Sequence, residues 1–131
     1  MKQGFLKTAA IFGALSVAFG AFAAHGLKQA ISHNALNIFE TGVRYQFYHS
    51  IALLMVAILY KEFPGRYMKW AGILFIAGII IFSGSLYCLA FIKGQVLPDY
   101  NWIGAVTPVG GICFIIGWLL LFAGVSVKRN V

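Results

Sequence analysis

Four long apolar runs, separated by short polar stretches, dominate the pattern of this chain. They cover residues 5–25, 43–60, 70–92 and 102–127, and a helix needs about 20 apolar residues to cross a bilayer. Because backbone polar groups must be satisfied internally in lipid, runs of this length predict helices. The pattern therefore predicts an all-α integral membrane protein, in which residues 1–131 form a single domain built as a bundle of four transmembrane helices.

The segment between the first two runs, residues 27–41, has a different pattern. Leu27, Ile31, Ala35 and Ile38 recur at helical spacing among lysine, glutamine, serine, histidine and asparagine. Such a segment is too polar to cross the hydrocarbon and is typical of an amphipathic helix that lies in the interface. We therefore expect an interfacial helix between spans one and two.

Composition and charge agree with a membrane location. Hydrophobic residues make up 61% of the chain and charged residues 10%, with a mean hydropathy of +0.87, whereas soluble domains carry about 25% charged residues. The net charge is +7, but the basic residues flank apolar runs, which favours lipid headgroups over nucleic acid as their partner.

The distribution of lysine and arginine predicts the orientation. Seven of them fall on one side of the four spans and three on the other, so the positive-inside rule predicts that both termini lie in the cytoplasm. The predicted cytoplasmic set is Lys2, Lys7, Lys61, Arg66, Lys69, Lys128 and Arg129, and the predicted outer set is Lys28, Arg44 and Lys93.

The first span begins like a secretory signal, with a basic start and an Ala21-Phe22-Ala23 site, but three further spans favour a retained helix. Small residues also recur along the spans, and such rows let helices approach closely in lipid. Three rows are compatible with self-association as a dimer or trimer. They are Ala10/Ala14/Ala18, Ser16/Gly20/Ala24 and Gly110/Gly117/Gly124.

Ionisable groups concentrate where the second span begins. On a helix Glu40 lies one turn from Arg44, and Tyr45 one turn from His49. Two interpretations of the Glu40–Arg44 pair remain open, a structural ion pair or a ligand-binding pair. His49 is likewise either satisfied within the bundle, by Tyr45 or Ser83, or free to accept protons or contact a ligand.

Polar residues occur at similar depth in the other spans. A polar group left unpaired in a low-dielectric setting costs about 1–3 kcal/mol, so these side chains are expected to turn inward and meet. We predict one hydrogen-bonded polar site in the outer half of the bundle. Its candidates are His25, Glu40, Arg44, Tyr45, Gln46, His49, Ser83, Ser85, Tyr87 and Thr107.

Four blocks of sequence resemble, in order, those of the domain-of-unknown-function 423 family of small bacterial membrane proteins. The blocks are residues 20–27, residues 41–49, residues 82–87, and residues 107–111 with Phe114, Gly117 and Trp118. The resemblance implies a four-helix inner-membrane protein and supplies no activity. The family usually has glycine where this chain has Ala23, which implies a looser helix approach there.

No pattern of known chemistry stands out. The three histidines, at 25, 33 and 49, lack a metal-binding spacing, and Ser83 and Ser85 lack the G-x-S-x-G context of a serine nucleophile. For Cys88 and Cys113 the sequence favours small buried residues over a disulfide or metal site. We expect no catalytic residue, metal or cofactor.

Two classes of function remain. The first is a non-enzymatic binding or assembly protein whose polar site takes a lipid headgroup, a small metabolite or a partner helix. The alternative is a proton-coupled small-molecule carrier or membrane enzyme using His49 and Glu40. Only three acids and no convincing internal repeat are present, which favours the first class.

Overall fold

Four helices, each long and apolar enough to cross a membrane, make up nearly all of the described chain. The structure is a computed structural model that describes residues 2–94 and 101–127. It confirms the predicted all-α architecture with four membrane-spanning helices. We number them α1 (Gln3–Ala30), α2 (His33–Leu59), α3 (Arg66–Lys93) and α4 (Asn101–Ser126).

Two of the helices contain a short π-helical segment, Ala23–Leu27 in α1 and Ile79–Ser83 in α3. Pro108 lies inside α4, which continues past it as one helix. The bundle has two ends. The distal end carries Ile31, Ser32 and Lys93, and the proximal end carries Lys2, the turn at residues 60–65 and Val127.

Residues 27–41 do not form the separate interfacial helix that their polarity predicts. Helix α1 continues to Ala30 and α2 begins at His33, so that only Ile31 and Ser32 lie between the two helices. Ile31 is extended, and the Ser32 hydroxyl caps α2 by accepting a hydrogen bond from the Ala35 amide at 3.3 Å. Polar residues at helix ends extend beyond the hydrocarbon, so the same pattern arises from two spans longer than the bilayer is thick.

Helices α2 and α3 occupy the middle of the structure, with α1 and α4 on opposite sides. Helix α1 packs mainly along α2, and α4 packs mainly along α3, while α1 and α4 hardly meet. Aromatic side chains close the remaining gaps, since Phe5 of α1 covers Gly72 of α3 and His49 of α2 stacks on Phe114 of α4. The outer helices are therefore the less buried ones.

Two apolar clusters fill the interior. The proximal cluster is built around Leu53, Val56, Met68 and Phe75, all fully buried. The distal cluster contains Ala23, Leu27, Leu36, Phe39 and Ala90. Ala23, the position where the resemblance implied a looser approach, is 1% exposed and packed within this cluster. The polar residues of interest lie between the two clusters.

The glycine row of α4 is used inside the molecule. A Cβ on Gly117 would lie 2.8 Å from the Phe75 ring, and one on Gly124 would lie 2.7 Å from the Met68 sulfur, so this row seats α4 against α3. Ser16 and Gly20 similarly face α2, whereas Ala10, Ala14 and Ala18 remain exposed.

Candidate functional site

Gln46 joins three helices in the distal half. Its side-chain amide is 3% exposed. The Nε2 group donates to the Phe12 carbonyl of α1 at 3.0 Å, and the Oε1 atom accepts from the Tyr87 hydroxyl of α3 at 2.6 Å. Donor and acceptor are thus both used, which fixes the orientation of the amide. The arrangement ties α1 and α3 to α2 through one side chain.

A close crossing of α2 and α3 lies beside this amide. Ser83 donates to the Gly42 carbonyl at 2.7 Å. A Cβ on Gly42 would lie 2.7 Å from the Tyr87 ring, so glycine is what allows the tyrosine to reach Gln46. Ser83 ends the π-helical segment of α3, and such segments frequently mark functional sites.

Ser85 and Thr107 join α3 to α4 at 2.6 Å between their hydroxyl oxygens. Ser85 also donates to the Phe82 carbonyl at 2.8 Å, which uses its only proton. Thr107 is therefore the donor in the pair. One turn further along α4, Gly110 lies against the backbone of Phe82, with 2.7 Å between a built Cβ and the Phe82 Cα.

His49 lies in an aromatic setting between α2 and α4. Its ring is 5% exposed and stacks on Phe114 with 3.5 Å between centroids. The Trp118 indole donates to Nε2 at 3.1 Å, and Nδ1 is 2.8 Å from the Tyr45 carbonyl. Because an indole N–H can only donate and a carbonyl can only accept, these contacts select a neutral ring with the proton on Nδ1.

Not all predicted site residues join these contacts. His25 is exposed, and the exposed Arg44 donates to the Thr41 hydroxyl at 3.1 Å. The structural ion pair, one of the two interpretations of Glu40 and Arg44, does not form in the described chain. The guanidinium bonds to the Thr41 hydroxyl instead. Helix rotation explains why Arg44 is exposed, since residues two apart point about 200° away from each other. With Gln46 turned inward, Arg44 faces outward.

Tyr45 has a mixed outcome. Its carbonyl accepts from His49, and its ring lies 4.7 Å from Phe82 and 6.0 Å from His49 between centroids. The ring remains 39% exposed, so the residue covers the edge of the site from the lipid side. The predicted candidates therefore separate into an inner group that joins helices and an outer group that faces the surroundings. The inner group is Gln46, His49, Ser83, Ser85, Tyr87 and Thr107, and the outer group is His25, Glu40, Arg44 and Tyr45.

Sequence reasoning missed two partners. Trp118 belongs to a recognised sequence block, but its pairing with a histidine 69 residues earlier leaves no local trace. The Phe12 carbonyl, which accepts from Gln46 and from Ser16, is a backbone group that a sequence pattern does not mark. Among the described residues, every buried side-chain nitrogen or oxygen has a hydrogen-bond partner.

The cysteines differ from expectation. Cys88 is exposed and Cys113 is half-buried, whereas the sequence favoured two buried residues. Within residues 2–94 and 101–127, no three histidine, cysteine or acidic side chains lie close enough together to hold a metal ion.

The chain matches the family model described as a protein of unknown function (DUF423) over residues 19–111. That range contains the capping serine, Gln46 and the π-helical segments of both helices. The chain belongs to the DUF423 family. Two of the blocks that suggested this membership, residues 41–49 and 82–87, supply the Gln46, Tyr87 and Ser83 contacts.

Curated relatives of this DUF423 protein cover almost its whole length. It is 42% identical over 118 residues to the UPF0382 membrane protein YwdK of Bacillus subtilis, covering 89% of this chain and 91% of that protein. It is 37% identical over 123 residues to the UPF0382 inner membrane protein YgdD of Escherichia coli, covering 93% and 89%. No solved structure matches the chain. The protein is a bacterial-type membrane protein of a family whose activity is uncharacterised.

Proposed function

We propose that this protein is a non-enzymatic binding or assembly protein of the bacterial inner membrane, with both termini in the cytoplasm. The observation that carries the proposal is how the distal polar residues are used. Each inner side chain forms its hydrogen bonds with another helix or with the main chain, as Gln46 does with Phe12 and Tyr87. Such groups hold helices together, and the surfaces that remain available are the lipid-facing ones.

The geometry around His49 and Glu40 does not favour the proton-coupled alternative. The two residues are nine apart on one continuous helix, which separates them by about 13 Å along the axis and places them on opposite faces. Both nitrogens of His49 are engaged, by Trp118 and by the Tyr45 carbonyl. A proton on Nε2 would require the Trp118 bond to break.

Extraction into polymer-bounded lipid discs, followed by native mass spectrometry in a detergent that removes loosely held lipid, tests the proposal. We expect a bound lipid molecule or a second copy of the chain to be retained. In parallel, proteoliposomes carrying a pH-sensitive dye should take up protons no faster than empty vesicles. A bare monomer, together with a proton flux that His49→Gln abolishes, would reverse the proposal in favour of a carrier.

A further inference from the structure

We infer that the groove between α1 and α2 binds one chain of an anionic phospholipid, with the lipid phosphate at Arg44. The inference names the ligand of the binding function proposed above and rests on it. The groove lies on the side of α2 that α3 does not cover. It consists of two adjoining depressions of about 290 and 300 Å³ that share Val17 and Phe47.

The groove is apolar along its length. Small residues of α1 form one wall, and larger residues of α2 form the other. The α1 wall is Ala9, Ala10, Gly13, Ala14 and Val17, and the α2 wall includes Phe47, Ile51 and Leu54. Gly13 has no atom within 4 Å of the position that its Cβ would occupy, so the groove stays open at its centre. An acyl chain can fill such a groove with the dispersion contacts that drive association in lipid.

The length of the groove matches one leaflet. Arg44 lines its distal depression and Leu54 its proximal one, and ten residues of helix rise about 15 Å. That is half of a hydrocarbon core of about 30 Å. Arg44 lies 17 residues before Lys61, about 26 Å along the helix, so its long side chain reaches the distal headgroup layer.

Arg44 supplies the charge that selects a phosphate. Its guanidinium is exposed and bonds to the neutral Thr41 hydroxyl, and no carboxylate oxygen of the described residues, that of Glu40 one turn away included, lies within 4.0 Å of its nitrogens. The planar guanidinium suits bidentate binding to phosphate oxygens. Tyr48, also exposed, lines the same end of the groove and offers a hydroxyl to the headgroup.

Charge also argues for a lipid over a second copy of this chain. The sequence carries ten lysines and arginines but three acids, so another copy offers few carboxylates to Arg44. An anionic phospholipid offers both a phosphate and an acyl chain at the separation that the groove requires. The phosphate and the apolar groove are thus satisfied by one molecule.

Two matched pairs of variants test the inference. Arg44→Gln removes the charge at the groove. Its control, Lys28→Gln, removes an equal charge near the distal end of α1, outside the groove. Gly13→Leu fills the groove, while Gly4→Leu adds the same side chain to the same helix at another position with nothing within 4 Å of its Cβ. Each of these positions is exposed or open, so the variants should fold.

The full-length protein is delipidated, and dioleoyl phosphatidylglycerol is added while native mass spectra are recorded. We expect Arg44→Gln and Gly13→Leu each to weaken the first binding step at least tenfold, and the two controls to stay within twofold of the parent protein. A phosphatidylglycerol with a photoactivatable acyl chain should label residues 9–17 and 47–54. Inorganic phosphate and glycerophosphoglycerol should fail to compete, because they lack the chain.

Several outcomes would overturn the inference. Lipid retained equally by Arg44→Gln and Lys28→Gln would leave the binding function but remove Arg44 from it. Competition by inorganic phosphate would indicate a site for free anions. Cross-links between α1 helices of two chains, lost with Gly13→Leu, would assign the groove to a second copy.

Discussion

At the scale of single residues, the structure separates neighbours that the sequence treats alike. Glu40, Arg44, Gln46 and His49 are all polar residues in one helix, and the cost of burying unpaired polar groups predicted that they meet. Gln46 and His49 do turn inward, but Arg44 faces outward. Polarity sets which residues need partners, whereas the rotation of α2 about its axis decides which are buried. That rotation follows from packing against α3, including the fit of Tyr87 over Gly42. Because this contact joins residues far apart in the chain, the sequence around Arg44 does not reveal it.

The hydrogen bond between Tyr87 and Gln46 yields a first prediction. Tyr87→Phe should destabilise the protein, because Gln46 Oε1 loses its donor, and in membrane proteins such bonds contribute about 0.6 and up to about 1.7 kcal/mol. The Tyr87→Phe/Gln46→Leu double variant should lose less stability than the sum of the single variants. Unfolding in mixed micelles measures the coupling. Tyr48→Phe, at an exposed tyrosine, is the control, and strictly additive losses would show that the bond contributes nothing.

The setting of His49 yields a second prediction. The Trp118 indole donates to Nε2 of His49, which must therefore act as an acceptor. Nitrogen NMR of labelled histidine should accordingly find one neutral ring that carries its proton on Nδ1. Trp118→Phe should shift that signal toward the Nε2-protonated form, whereas Trp102→Phe, at an exposed tryptophan, should not. The spectrum of His49→Gln assigns the signal. An unchanged tautomer in Trp118→Phe would mean that the indole does not orient the ring.

At the scale of helices, apolar runs located all four spans, but their ends were harder to predict. Residues 27–41 looked like an independent helix because polarity reports depth in the membrane, and a span that extends into water carries the same pattern. Ser32 was the better signal, since a serine three residues before the Ala35 amide is a typical helix start. The break between α1 and α2 was therefore present in the sequence as a cap.

The close approach of α4 to α3 yields a third prediction. Gly110→Ala should destabilise the protein by about 1–3 kcal/mol, because the new methyl group meets the Phe82 backbone, which cannot rotate aside. Gly104→Ala, where a Cβ meets no atom within 4 Å, should be neutral or slightly stabilising through helix propensity. Thermal unfolding in detergent compares the two. Equal stability of both variants would show that α4 packs less tightly on α3 than the structure indicates.

At the scale of the whole molecule, orientation rests on charge. Seven basic residues against three predict that the proximal end lies in the cytoplasm. In a Cys88→Ala/Cys113→Ala background, His33→Cys should react with an impermeant maleimide added to intact cells, and Lys61→Cys only after the membrane is opened. Lys61 is a better position for the cysteine than Gly65 in the same turn, because the φ of 156° at Gly65 disfavours any residue other than glycine. The reverse pattern of labelling would invert the topology.

The arrangement with α2 and α3 in the middle also bears on how the protein is made. The main contacts of every helix are with its neighbours in the chain, α1 with α2, α2 with α3, and α3 with α4. Every interface can therefore form as soon as the next span leaves the ribosome. Gln46 finds the Phe12 carbonyl within the first hairpin, before Tyr87 has been synthesised. Contacts between sequence neighbours close at low entropic cost. In arrested nascent chains, cross-links between α1 and α2 should therefore form first. Insertion into the bilayer and tertiary assembly are then a single process that proceeds in the order of translation.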